Sequence, residues 1–569
     1  MPAPVRTPWA LRRLVLTMPV IGLCMAPGLR CALADTSPAQ VVAMAVPPEQ
    51  IDKALAELDD IAATIMKRSG IPGMAVAVVR DGKTVYAKGF GVRKAGGNEP
   101  VGADTVFQLA SLSKSLAGTV VAQQVGAGAV QWDTPLVKHL PWFQLKDPWV
   151  STHVTVADMF SHRSGLPDHA GDHLEDFGFD RRAILERLRL LPLSSFRDTY
   201  DYTNFGLTAG AEAVAVASGK DWATLSEDAL YRPLGMASTS SRFSDFMKQA
   251  NRATPHVKID GAYVAKFQRE PDAQSPAGGA SSSVNDLARW MTLVLQNGTF
   301  EGREIIPAAA LLPAVRAEVI SSHSATADTR PGFYGYGIGV GITSTGRVML
   351  SHSGAFTLGA GTHYRMLPAL GLGIAVLTNA MPVGAAEAVG ADFFDRVELG
   401  RSSRDWFDAY GAVMAGLMTP SGELSGKTPP KDPKPAAALS TYAGTYANDY
   451  FGPLDISVKD GRLELTVGPA KVHQTLSHWD GNVFAFSPFG ENEASGSRTA
   501  VTFKQNGAAP VEEVSIDYLN GEGMGRFVRK QERPDRRRAS AAATSPYQNL
   551  DGREARPREV LVHGGLGAL

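Results

Sequence analysis

The chain has 569 residues, of which 56 are lysine or arginine and 57 are aspartate or glutamate. This balance argues against a nucleic-acid partner, because proteins that bind nucleic acids carry a strongly basic surface. The length exceeds that of one ordinary domain, so we expect more than one domain.

The N-terminal segment, residues 1–34, has the layout of a cleavable signal peptide. Basic residues come first, an apolar stretch follows, and an Ala-Leu-Ala cleavage site stands directly before Asp35. The paired arginines at 12–13 leave the choice between Sec and twin-arginine export open. Both cysteines, Cys24 and Cys31, precede the cleavage site, so the mature protein would hold no disulfide and no thiolate metal site.

Removal of the signal peptide takes away four arginines and leaves 52 basic residues against 57 acidic ones, a net charge of −5. No second apolar run approaches the roughly 18 residues that a membrane span requires. We therefore expect a periplasmic or secreted protein with no membrane contact after cleavage. Residues 35–50 are interpreted as an N-terminal linker.

The first ordered elements are a helix and a hairpin. Apolar residues recur at helical spacing over 51–65, which predicts a terminal helix. Two apolar runs, 74–79 and 84–88, flank Asp81-Gly82, and this dipeptide between strands predicts a tight hairpin turn.

Near its end, the same region predicts a strand at 372–377 and a closing helix at 385–399. Helices and antiparallel strands mix without regular alternation. This pattern predicts an α+β catalytic domain over 51–418, with an antiparallel sheet flanked by helices and a helical subdomain.

The central feature of this domain is Ser111, which is followed three residues later by Lys114. Side chains three residues apart share one face of a helix. A serine hydroxyl needs a base within hydrogen-bond reach, and a partly desolvated lysine can act as that base. Lys114 is therefore the candidate activator of Ser111, although the spacing alone is also compatible with an ordinary serine at a helix start.

Two further motifs follow along the chain. Tyr202 and Asn204 offer a phenol and a carboxamide two residues apart, and His352 opens a His-Ser-Gly sequence just after a strand-like apolar run. Tyr200 stands beside Tyr202 and leaves some ambiguity about which phenol is catalytic.

A group of histidines, His162, His169 and His173, could suggest a metal site, but it lacks the spacing of zinc ligands on a helix. We predict no metal and no cofactor.

The texture of the chain changes at 419–437, where prolines and lysines predict a linker. Over 442–529 apolar residues alternate with polar ones, and Asp460-Gly461 supplies a hairpin turn, which predicts an all-β barrel or lipocalin-like domain over 438–531. The predicted strands are 454–458, 463–467, 483–486, 500–503, 514–518 and 525–528. Residues 532–569, with an arginine run and many alanines and serines, predict a disordered tail. A homo-oligomer formed through the β domain stays open.

The three motifs, in this order, resemble those of the penicillin-recognising serine hydrolases. Within that group the chain is similar to the branch of class C β-lactamases, DD-carboxypeptidases, D-aminopeptidases and esterases. Further segments in the same order resemble this branch, so that the resemblance covers roughly residues 51–400; these segments are 159–167, 232–236, 276–279, 286–290 and 334–337. The resemblance implies the same α+β architecture, with the serine at the start of a helix between its two parts.

The resemblance also implies a mechanism. Ser111 attacks a carbonyl, its proton passes to Lys114 or to Tyr202, and water later hydrolyses the acyl-enzyme. Tyr202 is the expected acid for the leaving group. A phenol, whose pKa is normally near 10, can be ionised here only if Lys114 and His352 act as neighbouring cations.

Further roles are implied for the third motif and for Asn204. The backbone amides of Ser111 and Ala355 would form the oxyanion hole, where one donor is typically worth about 3 kcal/mol of barrier. Asn204 would bind a substrate amide, and Ser353, next to Gly354, a substrate carboxylate.

The third motif departs from the lysine-threonine-glycine of class C β-lactamases, because His352 replaces the lysine. The His-Ser-Gly form is similar to that of DD-carboxypeptidases and D-aminopeptidases. We therefore expect a serine hydrolase that acts on linear or D-residue-containing peptides. A class C-like β-lactamase or carboxylesterase is the alternative, and so is a penicillin-binding receptor that does not turn over or a pseudoenzyme whose β domain binds a partner.

Overall fold

A computed structural model describes residues 42, 44–488, 490–505 and 510–531. The predicted signal peptide at 1–34 and the predicted tail at 532–569 lie outside these residues. Within the described ranges, no helix has both the length and the apolar character that a membrane span would need.

Sixteen α-helices occupy the described part of the first 417 residues, and most belong to a helical layer beside the main sheet. Their bounds are α1 Pro48–Ala56, α2 Leu58–Ser69, α3 Leu112–Gly126, α4 Pro148–His153, α5 Val156–Phe160, α6 Asp172–Asp176, α7 Arg181–Arg187, α8 Asn204–Ser218, α9 Trp222–Ser226, α10 Arg232–Leu234, α11 Phe243–Lys248, α12 Ser275–Gly278, α13 Val284–Leu295, α14 Ala308–Val315, α15 Ala385–Leu399 and α16 Trp406–Leu417.

The strands of this domain form one eight-stranded antiparallel sheet and three small two-stranded pairs. Their bounds are β1 Gly73–Arg80, β2 Lys83–Gly91, β3 Phe107–Gln108, β4 Val257–Ile259, β5 Ala262–Val264, β6 Ser281–Ser282, β7 Thr299–Phe300, β8 Arg303–Glu304, β9 Val319–Ser322, β10 Gly332–Tyr334, β11 Gly339–Ile342, β12 Val348–Phe356, β13 Ala360–Leu367 and β14 Leu372–Thr378. The order in the large sheet is β2-β1-β14-β13-β12-β11-β10-β9.

The main sheet lies between two helical layers, and the sequence of β1 shows why. Successive side chains of a strand point to opposite faces. Met74, Val76 and Val78 pack into the core formed with α1, α2 and α15, whereas Ala75 and Ala77 pack into the core that contains α3 and α13. Both faces are therefore buried, and β1 is apolar at every position of this run.

The hairpin prediction is confirmed. β1 and β2 pair as antiparallel strands, and Asp81 and Gly82 both adopt positive φ, 49° and 76°, as a two-residue turn of this type requires. The single helix predicted over 51–65 is instead two helices, α1 and α2, which meet at Glu57. The helix at 385–399 has the predicted bounds but does not close the domain, because α16 follows it and packs against it.

A second domain follows as a closed antiparallel barrel, with strands β15 Gly444–Asn448, β16 Gly452–Lys459, β17 Arg462–Val467, β18 Val472–Asp480, β19 Val483–Phe486, β20 Thr499–Lys504, β21 Glu513–Ile516 and β22 Arg526–Arg529. The predicted fold class, α+β followed by an all-β barrel, is confirmed. The sequence pattern located six of these strands; β15 and β18 are additional. β18 was missed because its first residues, 472–475, alternate between partly buried and exposed positions and contain little apolar signal.

The barrel packs against the short helix α6 and the residues after it. The Phe177 ring lies 5.7 Å from that of Phe451, and the Phe177 carbonyl accepts a hydrogen bond of 3.0 Å from the Ala470 amide. His173 stacks edge-on against Tyr518. α6 therefore touches the barrel on one side, and its first residue, as described below, belongs to the candidate site.

Candidate active site

Ser111 lies at the point where the chain enters α3, the helix between the sheet and the helical layer. The preceding Ala110 has φ of 49°, a left-handed conformation that residues other than glycine rarely adopt. Such backbone strain is typical of functional turns and persists only when the surroundings fix it. Here Ala110 packs in a small apolar cluster with Phe356 and Ala360, at the end of β12 and the start of β13.

Lys114, one turn along α3, is completely buried, and its amine makes three polar contacts. Nζ lies 3.1 Å from Ser111 Oγ, 2.7 Å from Asn204 Oδ1 and 2.9 Å from the Ala277 carbonyl oxygen. Burial lowers the pKa of Lys114 to about 7, while the negative charge of Asp172 acts in the opposite direction. A large neutral fraction of this amine is therefore available near neutral pH.

The partners of Lys114 fix how the neutral amine is oriented. A neutral amine has two N–H groups and one lone pair, and the oxygens of Asn204 and Ala277 can only accept hydrogen bonds. Both N–H groups are engaged by these oxygens, so the lone pair points to the Ser111 hydroxyl. This geometry suits proton transfer from Ser111 to Lys114.

Behind Lys114 lies a short polar chain that the sequence did not reveal. Asn204 donates from Nδ2 to Asp172 Oδ2 over 2.8 Å, and His169 Nδ1 lies 2.9 Å from the same oxygen. Because a carboxylate accepts only, this contact sets which end of the Asn204 amide faces Lys114. Asp172, the first residue of α6, thus orients the carboxamide that binds the lysine.

Tyr202 completes the group around Ser111. Its side chain hydrogen-bonds Ser111, and Lys114 Nζ lies 4.5 Å from the centre of its ring. Burial raises the pKa of Tyr202 well above its usual value, and the hydrogen bond to Ser111 only partly offsets this. The condition stated above for an ionised phenol, that Lys114 and His352 act as neighbouring cations, is therefore not met. Its raised pKa keeps Tyr202 neutral, and the lowered pKa of Lys114 makes that amine the better candidate base.

His352 supplies no positive charge either. Burial lowers its pKa to about 4, with the nearby Lys114 acting in the same direction. Its Nδ1 donates to the Ser353 carbonyl over 2.7 Å, which leaves Nε2 to accept from the Tyr334 hydroxyl at 2.8 Å. The neutral His352 ring lies beside that of Tyr202, with 6.4 Å between the ring centres.

The strand after His352 approaches α3 closely at Gly354. A Cβ atom at this position would lie 2.2 Å from the Leu109 carbonyl oxygen, 2.3 Å from Thr362 Oγ1 and 3.1 Å from the Ser111 amide nitrogen. Only glycine allows this approach. It brings the backbone of β12, including Ala355, next to the start of α3.

Ser353 faces away from His352, because neighbouring residues of a strand point to opposite sides. Its hydroxyl lies 3.1 Å from Nδ1 of His363, the residue opposite it on β13. The residue is partly exposed, but β12 lies inside the sheet between β11 and β13. The position of the Ser353 hydroxyl does not favour the expected contact with a substrate carboxylate.

The three histidines have separate surroundings: His162 and His169 lie in the loop after α5, and His173 lies on α6. His162 Nδ1 accepts from the Thr203 amide at 3.1 Å, and the His169 amide donates to the Tyr202 carbonyl at 2.8 Å, so both support the Tyr202 backbone. His173 instead contacts the barrel at Tyr518. Over the described ranges no group of three or more His, Cys, Asp or Glu side chains is arranged to hold a metal ion.

Four residues of the site were not singled out for this role from the sequence: Asp172, Ala277, Tyr334 and His162. Ala277 acts through its carbonyl group, which any residue type carries, so no side-chain pattern could identify it. Tyr334 and His162 lay in segments that resemble the family, and that resemblance was the only available signal.

The sequence also matches models of known protein families. A model of the Beta-lactamase family matches residues 58–393. The chain belongs to the beta-lactamase family. This confirms the resemblance stated above and the expectation of a serine hydrolase. A second model, for a domain of unknown function (DUF3471), matches residues 428–525, which include most of the barrel.

Individual relatives are distant. The chain is 26% identical over 411 residues to the unguisins hydrolase ungD' of Aspergillus campestris, covering 68% of this chain and 74% of that protein. It is 27% identical over 251 residues to the D-alanyl-D-alanine-carboxypeptidase/endopeptidase AmpH of Escherichia coli, covering 43% and 63%. The octameric penicillin-binding protein homologue from Pyrococcus abyssi superposes with a TM-score of 0.54 at 18% identity, covering 84% of this chain and 100% of that one, which shows a shared fold.

The close approach at Gly354 yields a first prediction. Gly354→Ala should push β12 away from α3 and reduce kcat/KM by about 10²-fold, because a displacement of about 1 Å in a catalytic group can cost that much. A matched control is Gly341→Ala on β11, where the added Cβ would meet only the flexible end of Met349. Steady-state kinetics and thermal unfolding of both variants provide the measurement; equal activity of the two would contradict the assignment.

The pKa of Lys114 yields a second prediction. Because the neutral amine is the active form, kcat/KM should fall as pH drops below about 7. Asp172→Asn removes the charge that opposes the lowering of this pKa, so the acid limb should move to lower pH. Asp176→Asn, on the same helix, should leave the limb in place. A limb that does not move, or moves upward, in Asp172→Asn would rule out Lys114 as the titrating base.

Proposed function

We propose that the protein is an exported serine peptidase or amidohydrolase of the DD-carboxypeptidase or D-aminopeptidase type, which works through an acyl-enzyme on Ser111. The observation that carries the proposal is the buried Lys114 amine, whose two N–H groups are engaged by carbonyl oxygens while its lone pair faces the Ser111 hydroxyl. This arrangement serves a nucleophile and has no evident purpose in a binding module.

The proposed cycle begins when Ser111 Oγ attacks a substrate carbonyl and its proton passes to Lys114. The amides of Ser111 and Ala355 would then stabilise the negative oxygen of the tetrahedral intermediate. Tyr202, a neutral phenol hydrogen-bonded to Ser111, would relay a proton from Lys114 to the leaving group as the bond breaks. Water activated by the same groups would finally hydrolyse the acyl-enzyme.

Substrate binding would use the groups that remain available around these atoms. Among the described residues, Asn204 Nδ2 has Asp172 as its acceptor, which leaves its second N–H for a substrate amide oxygen. We do not assign a substrate carboxylate to Ser353, because its side chain lies on the face of the sheet opposite that of His352.

The peptide preference rests on charge and on the relatives. His352 stands where class C β-lactamases have a lysine, and its lowered pKa leaves it neutral. The site therefore lacks a fixed cation at this position. One relative is named as a D-alanyl-D-alanine-carboxypeptidase/endopeptidase and another as a hydrolase of unguisins. The carboxypeptidase/endopeptidase name fits hydrolysis of amide bonds ahead of esters or β-lactams.

Further parts of the proposal concern organisation. We assign residues 51–418 to the catalytic domain, 419–437 to a linker and 438–531 to the barrel, and we place the protein in the periplasm or outside the cell. We also propose that the protein forms an oligomer through the barrel, as an octameric homologue makes reasonable. The mass of the protein in solution would test this.

The substrate class leads to a third prediction. The mature protein should hydrolyse D-Ala-D-Ala peptides or D-amino-acid amides faster than short acyl esters or nitrocefin, and Ser111→Ala should abolish this activity. Hydrolysis followed by mass spectrometry and absorbance is the measurement.

The other outcomes have defined meanings. Preferred turnover of nitrocefin or esters would indicate the β-lactamase or carboxylesterase alternative. A penicillin that stays attached to Ser111 without any turnover would indicate the receptor. Activity retained by Ser111→Ala would disprove the proposed nucleophile.

A further inference from the structure

Part of the connection between β19 and β20, residues 490–498, lies against the catalytic domain near the candidate site; we call it the barrel loop. Its Glu491 is only 7% exposed and lies against the catalytic domain. Gly490 and Asn492 on either side both meet Asp176 of α6. A Cβ atom at residue 490 would lie 2.6 Å from Asp176 Oδ2, and Asn492 Nδ2 donates to the same oxygen over 2.9 Å. The loop is thus seated closely on α6.

Glu491 binds the turn between β12 and β13. Its two carboxylate oxygens accept from the Thr357 amide over 2.6 Å and from the Leu358 amide over 3.2 Å, and its backbone carbonyl accepts from Thr357 Oγ1 over 2.6 Å. A carboxylate that accepts from two successive backbone amides makes a strong, geometrically specific contact. One residue of the barrel therefore makes three hydrogen bonds to the catalytic domain at a single turn.

This turn directly follows the residues that would form the oxyanion hole. Thr357 is two residues after Ala355, and Phe356 between them packs on Ala110, the strained residue before Ser111. The same carboxylate thus binds the turn two residues after Ala355, and Phe356 connects this turn to Ala110, the residue before Ser111.

A second interaction holds the same place. Arg269 lies with its guanidinium 4.7 Å from the centre of the Phe356 ring, donates to Glu175 over 2.7 Å and lies 3.8 Å from Glu491 Oε2. Arg269 is 8% exposed, so these two acidic side chains, and not solvent, are its charge partners, although burial raises the pKa of each to about 7. Glu491 thereby completes a buried cluster in which Arg269 lies over Phe356, and Phe356 packs against Ala110, the residue before Ser111.

We propose that Glu491 is a positioning residue of the active site, supplied by the barrel, which holds the β12–β13 turn so that the amides of Ala355 and Ser111 keep their spacing. The inference rests on the proposed function, because it takes these amides to be the oxyanion hole. It assigns the barrel a part in building the catalytic geometry of its own chain, beyond any part in substrate selection.

The test compares three variants of the full mature chain. Glu491→Ala removes both acceptor oxygens, and Glu491→Gln keeps one of them and nearly the same shape. The control is Glu493→Gln on the same loop, whose carboxylate accepts from Ser421 outside the catalytic domain. The readouts are the rate at which a fluorophosphonate probe labels Ser111, the affinity for a boronic acid that forms a tetrahedral adduct on serine, and the melting temperature.

Glu491→Ala should slow labelling and weaken boronate binding in parallel, each by about 10²-fold, since the loss would come from misplaced oxyanion donors. Glu491→Gln should recover part of both, and Glu493→Gln should match the unchanged protein. KM for any substrate found should change much less than kcat, because the tetrahedral state depends on these donors more than the bound substrate does.

The inference and the proposed function can fail separately. If Ser111→Ala still takes up the probe at the same site, the proposed nucleophile is wrong. If Ser111 is the labelled residue but Glu491→Gln, with an unchanged melting temperature, labels and binds the boronate like the unchanged protein, the positioning role is overturned. A uniform loss in both loop variants, Glu491→Gln and Glu493→Gln, would also overturn it, since that result indicates a general effect of the loop.

Discussion

In the proposed mechanism, the chemistry of this protein depends on one buried amine. Lys114 has no contact with solvent, and burial destabilises the charged form of a lysine, so its pKa is lowered. The same burial that makes the charge unfavourable turns the side chain into a base. The oxygens of Asn204 and Ala277 fix the direction of its lone pair. The lowered pKa and this orientation together favour proton transfer from the Ser111 hydroxyl.

The surrounding fold supplies this amine with fixed partners from separate elements. α3 carries Ser111 and Lys114, α8 begins at Asn204, and α12 contributes the Ala277 carbonyl. Close approaches hold these elements together: a Cβ atom at Gly337 would lie 2.3 Å from the Lys114 carbonyl oxygen, and one at Gly118 would lie 2.1 Å from that of Tyr336. The chain therefore needs glycine where strands and loops pass over α3.

Much of the fold and part of the site could be predicted from the sequence. The hairpin at Asp81-Gly82 and the helix at 385–399 follow from local turn chemistry and apolar spacing, and these signals are independent of tertiary contacts. The motif of Ser111 and Lys114 was visible for the same reason. Contacts between distant segments could not be predicted from the sequence. Asp172, for example, accepts from Asn204 only because folding brings α6 next to the start of α8.

The ionisation of Tyr202 could not be settled from the sequence. Burial of the phenol raises its pKa well above the usual value, and burial also lowers the pKa of Lys114 and of His352, the two neighbouring basic residues. Solvent exposure is a property of the whole fold. The contribution of Glu491, from a domain that shares no motif with the catalytic one, belongs to the same class of features.

The most direct test of this account is the rate at which a penicillin or a fluorophosphonate probe acylates Ser111 in the unchanged protein and in Lys114→Ala, followed by intact-protein mass spectrometry. We expect the acylation rate to fall by at least about 10³-fold in Lys114→Ala, because Ser111 would have no base within reach. A Lys114→Met variant, which fills the buried space without an amine, should show the same loss. Near-normal acylation in either folded variant would contradict the central role of Lys114.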